Sequence, residues 1–170
     1  MKKLTYAVCC LTLASAAAAF TPSLKAQATD QDKQFLTNAS QGNYDEIQLG
    51  KLAEEKASNP AVKAFGKRMV RDHTMLTEKM KPFATAWGIN PPTALSSNAQ
   101  NEYNKLQGLS GKDFDKEYID DMVTDHTHDL DAFTKEVNDT KDAKFKTAVE
   151  QGKSVVAAHK NMAYNLKKKL

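Results

Sequence analysis

Apolar residues recur at three- and four-residue spacing along four long stretches of the chain. This spacing predicts four amphipathic helices, each with one buried face. No stretch of useful length alternates with period two, so strands are not expected. The predicted buried stripes are Phe35-Ala39-Gly42-Glu46-Leu49-Ala53, Val62-Gly66-Met69-His73-Leu76-Met80-Phe83-Trp87, Ile119-Met122-His126-Asp129-Phe133-Val137 and Phe145-Ala148-Gly152-Val155-His159-Met162-Leu166.

Capping and breaking residues set the expected helix boundaries. The four long helices, A to D, are predicted at residues 30–57, 60–87, 111–138 and from 140 almost to 170, with a short helix near 97–106. Thr29 with Asp32 and Ser110 with Asp113 have capping-box spacing. Further signals are Asn59 with Pro60 at the start of helix B, Gly88 at its end and Thr140 as the cap of helix D.

The connections predict how the helices are arranged. Helices A and B, and helices C and D, are joined by tight turns, whereas the connection from Gly88 to Lys112 is long enough to traverse the bundle. Helices B and C would then run in the same direction. The sequence therefore predicts an all-α, ferritin-like four-helix bundle with a long crossover between helices B and C.

Each predicted stripe contains a titratable residue, namely Glu46, His73, His126 or His159. Glu46 lies 13 residues before Asn59 and His73 lies 14 after it, so the two are expected at one level. His126 and His159 lie 14 residues before and 19 after Thr140, a mismatch of roughly 7 Å. Burying these groups is costly unless they bind one another, water or a metal ion.

Two interpretations of this polar core remain open. One is a transition-metal site with Glu46, His73, His126 and His159 as ligands, for which Zn, Fe, Mn and Cu are candidates. The other is a closed hydrogen-bonded network that fixes helix packing. His128 is expected at the surface. In the metal interpretation, three aspartates would orient the imidazoles through hydrogen bonds: Asp72, Asp125 and Asp129. Three methionines would form a thioether layer next to the histidines, which would favour Cu(I): Met69, Met122 and Met162.

The first 28 residues have the pattern of a signal peptide. Lys2 and Lys3 precede an apolar run, and small residues before position 29 suit cleavage there, with a cut within residues 16–19 as the alternative. Both cysteines fall in this segment. Its removal leaves 21 of the 24 basic residues against 21 acidic ones, so composition gives no support for nucleic-acid binding. We expect one domain at 29–170 without a membrane span, exported to the periplasm or secreted.

An ordered series of motifs resembles a known bacterial family. The motifs are Asp45-Glu46-Ile47-Gln48-Leu49-Gly50-Lys51-Leu52-Ala53, Val62-Lys63-Ala64-Phe65, Met69-Val70-Arg71-Asp72-His73, Leu109-Ser110-Gly111-Lys112-Asp113-Phe114-Asp115, Met122-Val123-Thr124-Asp125-His126 and His159. Together they resemble the ferritin-like family of unknown function often labelled "predicted outer membrane protein". The resemblance implies an exported four-helix bundle and no established activity.

The chain departs from di-iron ferritin-like proteins, which place Glu three residues before the ligand His on two helices. Val70, Val123 and Val156 occupy those positions here, so a site for one metal ion is favoured over a two-iron site. The leading hypothesis is an exported bundle that binds one transition metal. The alternatives are a non-catalytic envelope scaffold or stress-associated interaction protein and, ranked last, a metal-dependent redox enzyme.

Small residues occupy several buried positions of the stripes, and their role has two readings. They could leave a gap beside the polar core, or they could let neighbouring helices approach closely. The residues concerned are Ala39, Gly42, Gly66 and Gly152.

Overall fold

Five α-helices make up the described part of the chain. A computed structural model describes residues 28–170, and these residues contain no strand. The predicted all-α fold is therefore confirmed, whereas the predicted signal peptide, apart from its last residue, lies outside the described residues. The helices are α1 (Asp30–Lys56), α2 (Pro60–Trp87), α3 (Ser97–Gln107), α4 (Gly111–Asp139) and α5 (Ala143–Lys167).

The four long helices form a ferritin-like bundle built from two hairpins. α1 packs along α2, and α4 packs along α5, while α2–α5 and α1–α4 contacts join the hairpins. Because each hairpin reverses the chain and residues 88–110 cross the bundle, α2 and α4 lie at diagonal corners and run in the same direction. The short helix α3 lies within this crossover and packs on α1 and α4.

Several helix ends form as their sequence signals predict. The Thr29 hydroxyl accepts a hydrogen bond from the Asp32 N–H at 3.0 Å, and the Asp32 carboxylate accepts one from the Thr29 N–H at 2.7 Å. Asn59 accepts from the Ala61 N–H at the start of α2. Gly88 ends α2 with a left-handed φ of 70°, a conformation that a Cβ would disfavour.

One predicted cap is wrong, and another takes its position without forming the expected bond. Thr140 does not cap α5: its N–H donates to the carbonyl of Glu136 and closes α4, and Asp142 takes the capping position. The Asp142 carboxylate accepts hydrogen bonds from the N–H groups of both Lys144 and Phe145, and so satisfies two backbone donors of the first turn of α5. Ser110 takes the predicted capping position of α4 without a side-chain hydrogen bond, and the next residue, Gly111, has a left-handed φ of 58°.

Asp115 of α4 holds the α1–α2 turn, a role that the sequence pattern did not reveal. Its buried carboxylate accepts hydrogen bonds from the N–H groups of Ser58 and Asn59, at 2.9 and 2.8 Å, and from the Ser58 hydroxyl. These bonds satisfy backbone donors that the turn leaves free, and they fix the two hairpins against each other.

The apolar core consists of two clusters with a polar layer between them. One cluster contains Phe65, Phe114 and Ile119, and the other contains Phe133 and Phe145. On every long helix, the titratable residue of the predicted stripe lies between the residues that belong to one cluster and those that belong to the other. The bundle therefore places its buried polar groups at mid-height, away from both ends.

Candidate metal centre

The mid-height layer contains all four residues that the stripes singled out. Glu46, His73, His126 and His159 are 3%, 2%, 0% and 0% exposed. In both hairpins the two residues are offset by three positions when they are counted from the adjoining helix ends. The later start of α5 thus reduces the mismatch expected for His126 and His159 from roughly 7 Å to about 4.5 Å.

Three imidazole rings from three different helices meet in this layer. The ring centroids of His73 and His126 lie 5.7 Å apart, those of His73 and His159 lie 5.2 Å apart, and those of His126 and His159 lie 5.4 Å apart. One ring nitrogen from each residue lies within 4.8 Å of the other two. Among the described residues, no other trio of histidine, cysteine or carboxylate ligand atoms is as close.

Hydrogen bonds to fixed acceptors decide which nitrogen of each ring carries the proton. His73 Nδ1 lies 2.9 Å from Asn43 Oδ1, and His126 Nδ1 lies 3.0 Å from the Met122 carbonyl. His159 Nε2 lies 2.9 Å from a carboxylate oxygen of Asp72. Since all three partners are acceptors, these nitrogens donate.

The remaining ring nitrogens therefore carry free lone pairs. His73 Nε2, His126 Nε2 and His159 Nδ1 are buried and have no hydrogen-bond partner. Burial and the neighbouring imidazoles lower the pKa of His73 well below its usual value, and the same causes lower the pKa of His126 to about 3. Burial also lowers the pKa of His159. At neutral pH the three rings are thus uncharged, and each has one nitrogen whose lone pair could bind a metal ion.

Asp72 connects this centre to the surface of α2. One of its oxygens accepts from both His159 and Arg68, and the other accepts from Arg71 at 2.8 Å. Burial alone would raise the pKa of Asp72, but the bonds from Arg71 and His159 lower it to about 2. Asp72 therefore stays ionised and holds His159 through a hydrogen bond to its ring.

Glu46 lies beside the centre but not in the group of converging nitrogens. Its Oε1 is 3.7 Å from His126 Nδ1, the nitrogen that already donates to the Met122 carbonyl. Its Oε2 is buried without a partner. Burial, and next the carboxylates of Asp125 and Asp129, raise the pKa of Glu46 well above its usual value. Glu46 also lines an acidic cavity on the other side of the layer.

The other predicted site residues are divided between the core and the surface. Asp129 is half-buried and Asp125 is exposed, and both line the acidic cavity without a hydrogen bond to a histidine of the described chain. Met69 and Met122 are fully buried one turn before His73 and His126, and Met162 is half-buried. His128 is exposed, as expected.

Asn43 belongs to the same buried cluster, although the apolar stripes do not include it. It is 5% exposed and supplies the acceptor that sets the tautomer of His73. A signal was available, because Asn43 lies three residues before Glu46 and therefore on the same helix face. Burial of a polar amide at that position is unfavourable unless the amide has a hydrogen-bond partner.

The sequence matches a family model, and the fold matches solved structures. The family model described as "Domain of unknown function (DUF4142)" matches residues 17–166, and this match begins within the predicted signal peptide. No curated protein matches the sequence. None of the described helices has the length and apolar character that a membrane crossing needs.

Solved structures with the same bundle include two groups of proteins. A DUF305 fragment from Deinococcus radiodurans aligns with a TM-score of 0.74 and 14% identity over 84% of this chain and 99% of its own. CopM in the Cu(I)-bound form aligns with a TM-score of 0.69 and 20% identity over 84% of this chain and 98% of its own. CopM in the Cu(II)-bound form is 18% identical, with a TM-score of 0.68 over the same shares of the two chains. At these identities the likeness establishes the fold.

Proposed function

The chain belongs to the DUF4142 family, and from that premise we propose that it binds one transition metal ion in the core of its bundle. The proposed ligands are His73, His126 and His159. The observation that carries the proposal is that each ring has one nitrogen fixed by an acceptor and one free, and that the free nitrogens are buried. A bound ion would satisfy all three at once.

The hydrogen-bonded network of the alternative, scaffold interpretation is supported less well. That interpretation requires the buried polar atoms to satisfy one another, because an unpaired buried group costs about 1–3 kcal/mol. Three ring nitrogens and one oxygen of Glu46 lack partners in this layer. A core that served only to fix helix packing would gain stability by pairing or removing these groups.

The donor set favours soft or borderline ions. Uncharged imidazoles suit Cu(I), Cu(II) and Zn(II), and the buried Met69 and Met122 one turn away would add soft donors for Cu(I). Proteins of the same fold have been solved with Cu(I), Cu(II) and silver bound. We therefore place copper first among the candidates, followed by zinc, with iron and manganese after them.

Metal titration of the purified protein tests the proposal. Cu(I), Ag(I) and Zn(II) are added separately under anaerobic conditions, and the melting temperature and the affinity against a competing chelator are measured. An ion present at a hundred times its dissociation constant stabilises the fold by about 2.7 kcal/mol, which raises the Tm of a domain of this size by several degrees. The wild-type protein is expected to show this increase with at least one ion.

A matched pair of variants identifies the ligands. His73→Ala combined with His126→Ala should abolish the increase, measured from the variant's own metal-free Tm. His128→Ala should retain it, because this exposed histidine lies two residues from His126 on another face. An unchanged affinity in the double variant, or no increase with any ion, would refute the proposal and return the polar core to a structural role.

The proposed setting is the bacterial envelope, where an exported metal-binding bundle would meet metal ions outside the cytoplasm. The motif pattern of residues 1–28 supports this location. Fractionation of cells that express the full-length chain, with N-terminal sequencing of the product, tests it. A product in the periplasm that begins near residue 29 is expected, and an uncleaved cytoplasmic product would contradict it.

A further inference from the structure

The acidic cavity that Glu46 lines lies beside the layer of buried histidines. It has a volume of about 290 Å³, is partly open to solvent and is lined by residues of α1, α3 and α4 and by Ser96 just before α3. Five of the residues that line it carry carboxylates, namely Asp45, Glu46, Glu102, Asp125 and Asp129. Among the lining residues, His128 is the only basic side chain, and it lies at the exposed edge.

Two of these carboxylates have buried oxygens without partners. Glu46 is 3% exposed, and its Oε2 makes no hydrogen bond. Glu102 Oε1 is likewise buried and unpaired. A buried carboxylate oxygen without a donor is costly, and two of them beside one cavity indicate that a donor or a cation belongs there.

The charges around the cavity repel one another. Burial, and next the neighbouring Asp125, raise the pKa of Asp129 to about 6. The negative charge of Asp45 is offset only by neutral donors: its Oδ1 accepts from the Ser96 N–H at 3.0 Å and from the Gln41 amide at 2.9 Å. A cation in the cavity would replace this repulsion with attraction.

We propose that this acidic cavity is a second cation site, separate from the three histidines, and that it takes a hard divalent cation of the Ca²⁺ type. Its candidate ligands are carboxylate oxygens, which hard cations prefer to imidazole nitrogens. The carboxylates surround a cavity instead of converging on one point, so the ion would keep some of its water molecules. Such a site is typical of Ca²⁺ bound with modest affinity.

The position of the cavity gives the ion a structural consequence. Glu102 comes from α3 in the crossover, Glu46 from α1 and Asp129 from α4. At its N-terminus α3 is held by the bond between the Ser96 N–H and Asp45, whereas its other polar attachments, from Lys56 and through the Lys105–Glu117 pair, lie at its C-terminal end. A cation between the three helices would therefore fasten the crossover to the bundle.

Calcium separates the two sites experimentally, because it binds oxygen ligands and has little affinity for imidazole. Ca²⁺ binding to the purified protein is measured by calorimetry and by Tm at constant ionic strength. The test variant is Asp125→Asn combined with Asp129→Asn, which keeps the side-chain volumes and removes two charges. The matched control is Asp131→Asn, an exposed aspartate on the same helix.

We expect Ca²⁺ to raise the Tm of the wild type and of Asp131→Asn equally. In the double asparagine variant the affinity should fall by roughly tenfold or more, because the charge of the ligands sets the affinity of such sites. That variant should fold, since it relieves repulsion. Its own calcium-free Tm is the reference, so a change in basal stability does not obscure the result.

Two outcomes would overturn the proposal: no measurable Ca²⁺ binding by the wild type, or equal binding by the double asparagine variant. The His73→Ala and His126→Ala double variant makes the test independent of the proposed function. It should lose binding of copper or zinc while keeping binding of Ca²⁺. If the histidine variant lost Ca²⁺ binding as well, the two sites would not be separate and the proposal would fail.

Discussion

At the scale of single residues, the hydrogen-bond acceptors of the three histidines determine which nitrogen of each ring is free. Asn43, the Met122 carbonyl and Asp72 each take one ring proton and leave the opposite nitrogen free. Asp72 is the strongest of the three acceptors because it is ionised, which makes its bond to His159 charge-assisted.

Under the proposed metal binding by the three histidines, Asp72→Asn should weaken that binding without removing a ligand. The amide of asparagine is a poorer acceptor and can present its NH₂ group to His159, which would favour the wrong tautomer. Loss of such a partner lowers metal affinity by about 10- to 100-fold. Chelator competition with the preferred ion measures the change.

Glu78→Gln is the matched control for Asp72→Asn, because Glu78 is an exposed acid on the same helix. Its affinity should equal that of the wild type. Equal losses in the two variants would mean that Asp72 acts only through long-range charge, and no loss in either would mean that it does not orient the ring.

At the scale of helices, glycines on the buried stripes serve two different purposes. A Cβ added to Gly66 of α2 would lie 2.8 Å from Ala53 Cβ and 2.9 Å from the Gly50 carbonyl of α1. A Cβ at Gly152 would lie 2.4 Å from the ring of Phe133. A Cβ at Gly42 would meet nothing within 4 Å, and Gly42 lines the acidic cavity. Close approach thus explains Gly66 and Gly152, and a gap explains Gly42.

The same substitution at two of these positions should therefore have opposite effects. Gly66→Ala forces α1 and α2 apart and should destabilise the fold by about 1–3 kcal/mol. Gly42→Ala lacks this clash and should stabilise the fold by about 0.5–1 kcal/mol through helix propensity. Denaturant unfolding of the two variants measures both values. Destabilisation by Gly42→Ala, or tolerance of Gly66→Ala, would contradict the assignment.

At the scale of the whole molecule, a buried pair of acids joins the start of α1 to the end of α4. Asp32 and Glu136 are each 2% exposed. Burial and a hydrogen bond with Asp32 raise the pKa of Glu136 to about 7. Burial opposes ionisation of Asp32, but bonds from Thr140 and Thr29 lower its pKa. The folded state therefore holds a proton on Glu136 that the unfolded chain releases at lower pH.

This proton makes the global stability depend on pH in a defined direction. A folded-state pKa raised from 4.5 to about 7 means that the stability contribution of Glu136 falls as pH rises through that interval. Glu136→Gln does not titrate and can still donate to Asp32. Its Tm should equal that of the wild type at pH 4 and exceed it increasingly up to pH 8.

The other titrating groups are common to both proteins, so the difference in Tm isolates Glu136. Glu150→Gln, an exposed acid on α5, should show no such trend. A Tm difference that is independent of pH would show that folding does not raise the pKa of Glu136.

Much of this architecture follows from local signals. The positions of α1, α2 and the short α3 agree with the sequence prediction to within a residue, because their caps and breakers act on neighbouring backbone groups. Thr140 was misassigned because two capping candidates, Thr140 and Asp142, stand two residues apart. Their competition is decided by how α4 ends, which the local sequence does not specify.

The sequence alone determined that Glu46, His73, His126 and His159 are buried at mid-height, since a period of 3.6 residues assigns each to a helix face and the turn positions assign its level. Only the tertiary structure decided how these side chains are used. The partners of His73 and His159, Asn43 and Asp72, lie 30 and 87 positions away along the chain. Helix packing left one buried nitrogen of each ring without a partner and placed Glu46 beside an acidic cavity. For His73 and His159 this depends on acceptors that other helices supply.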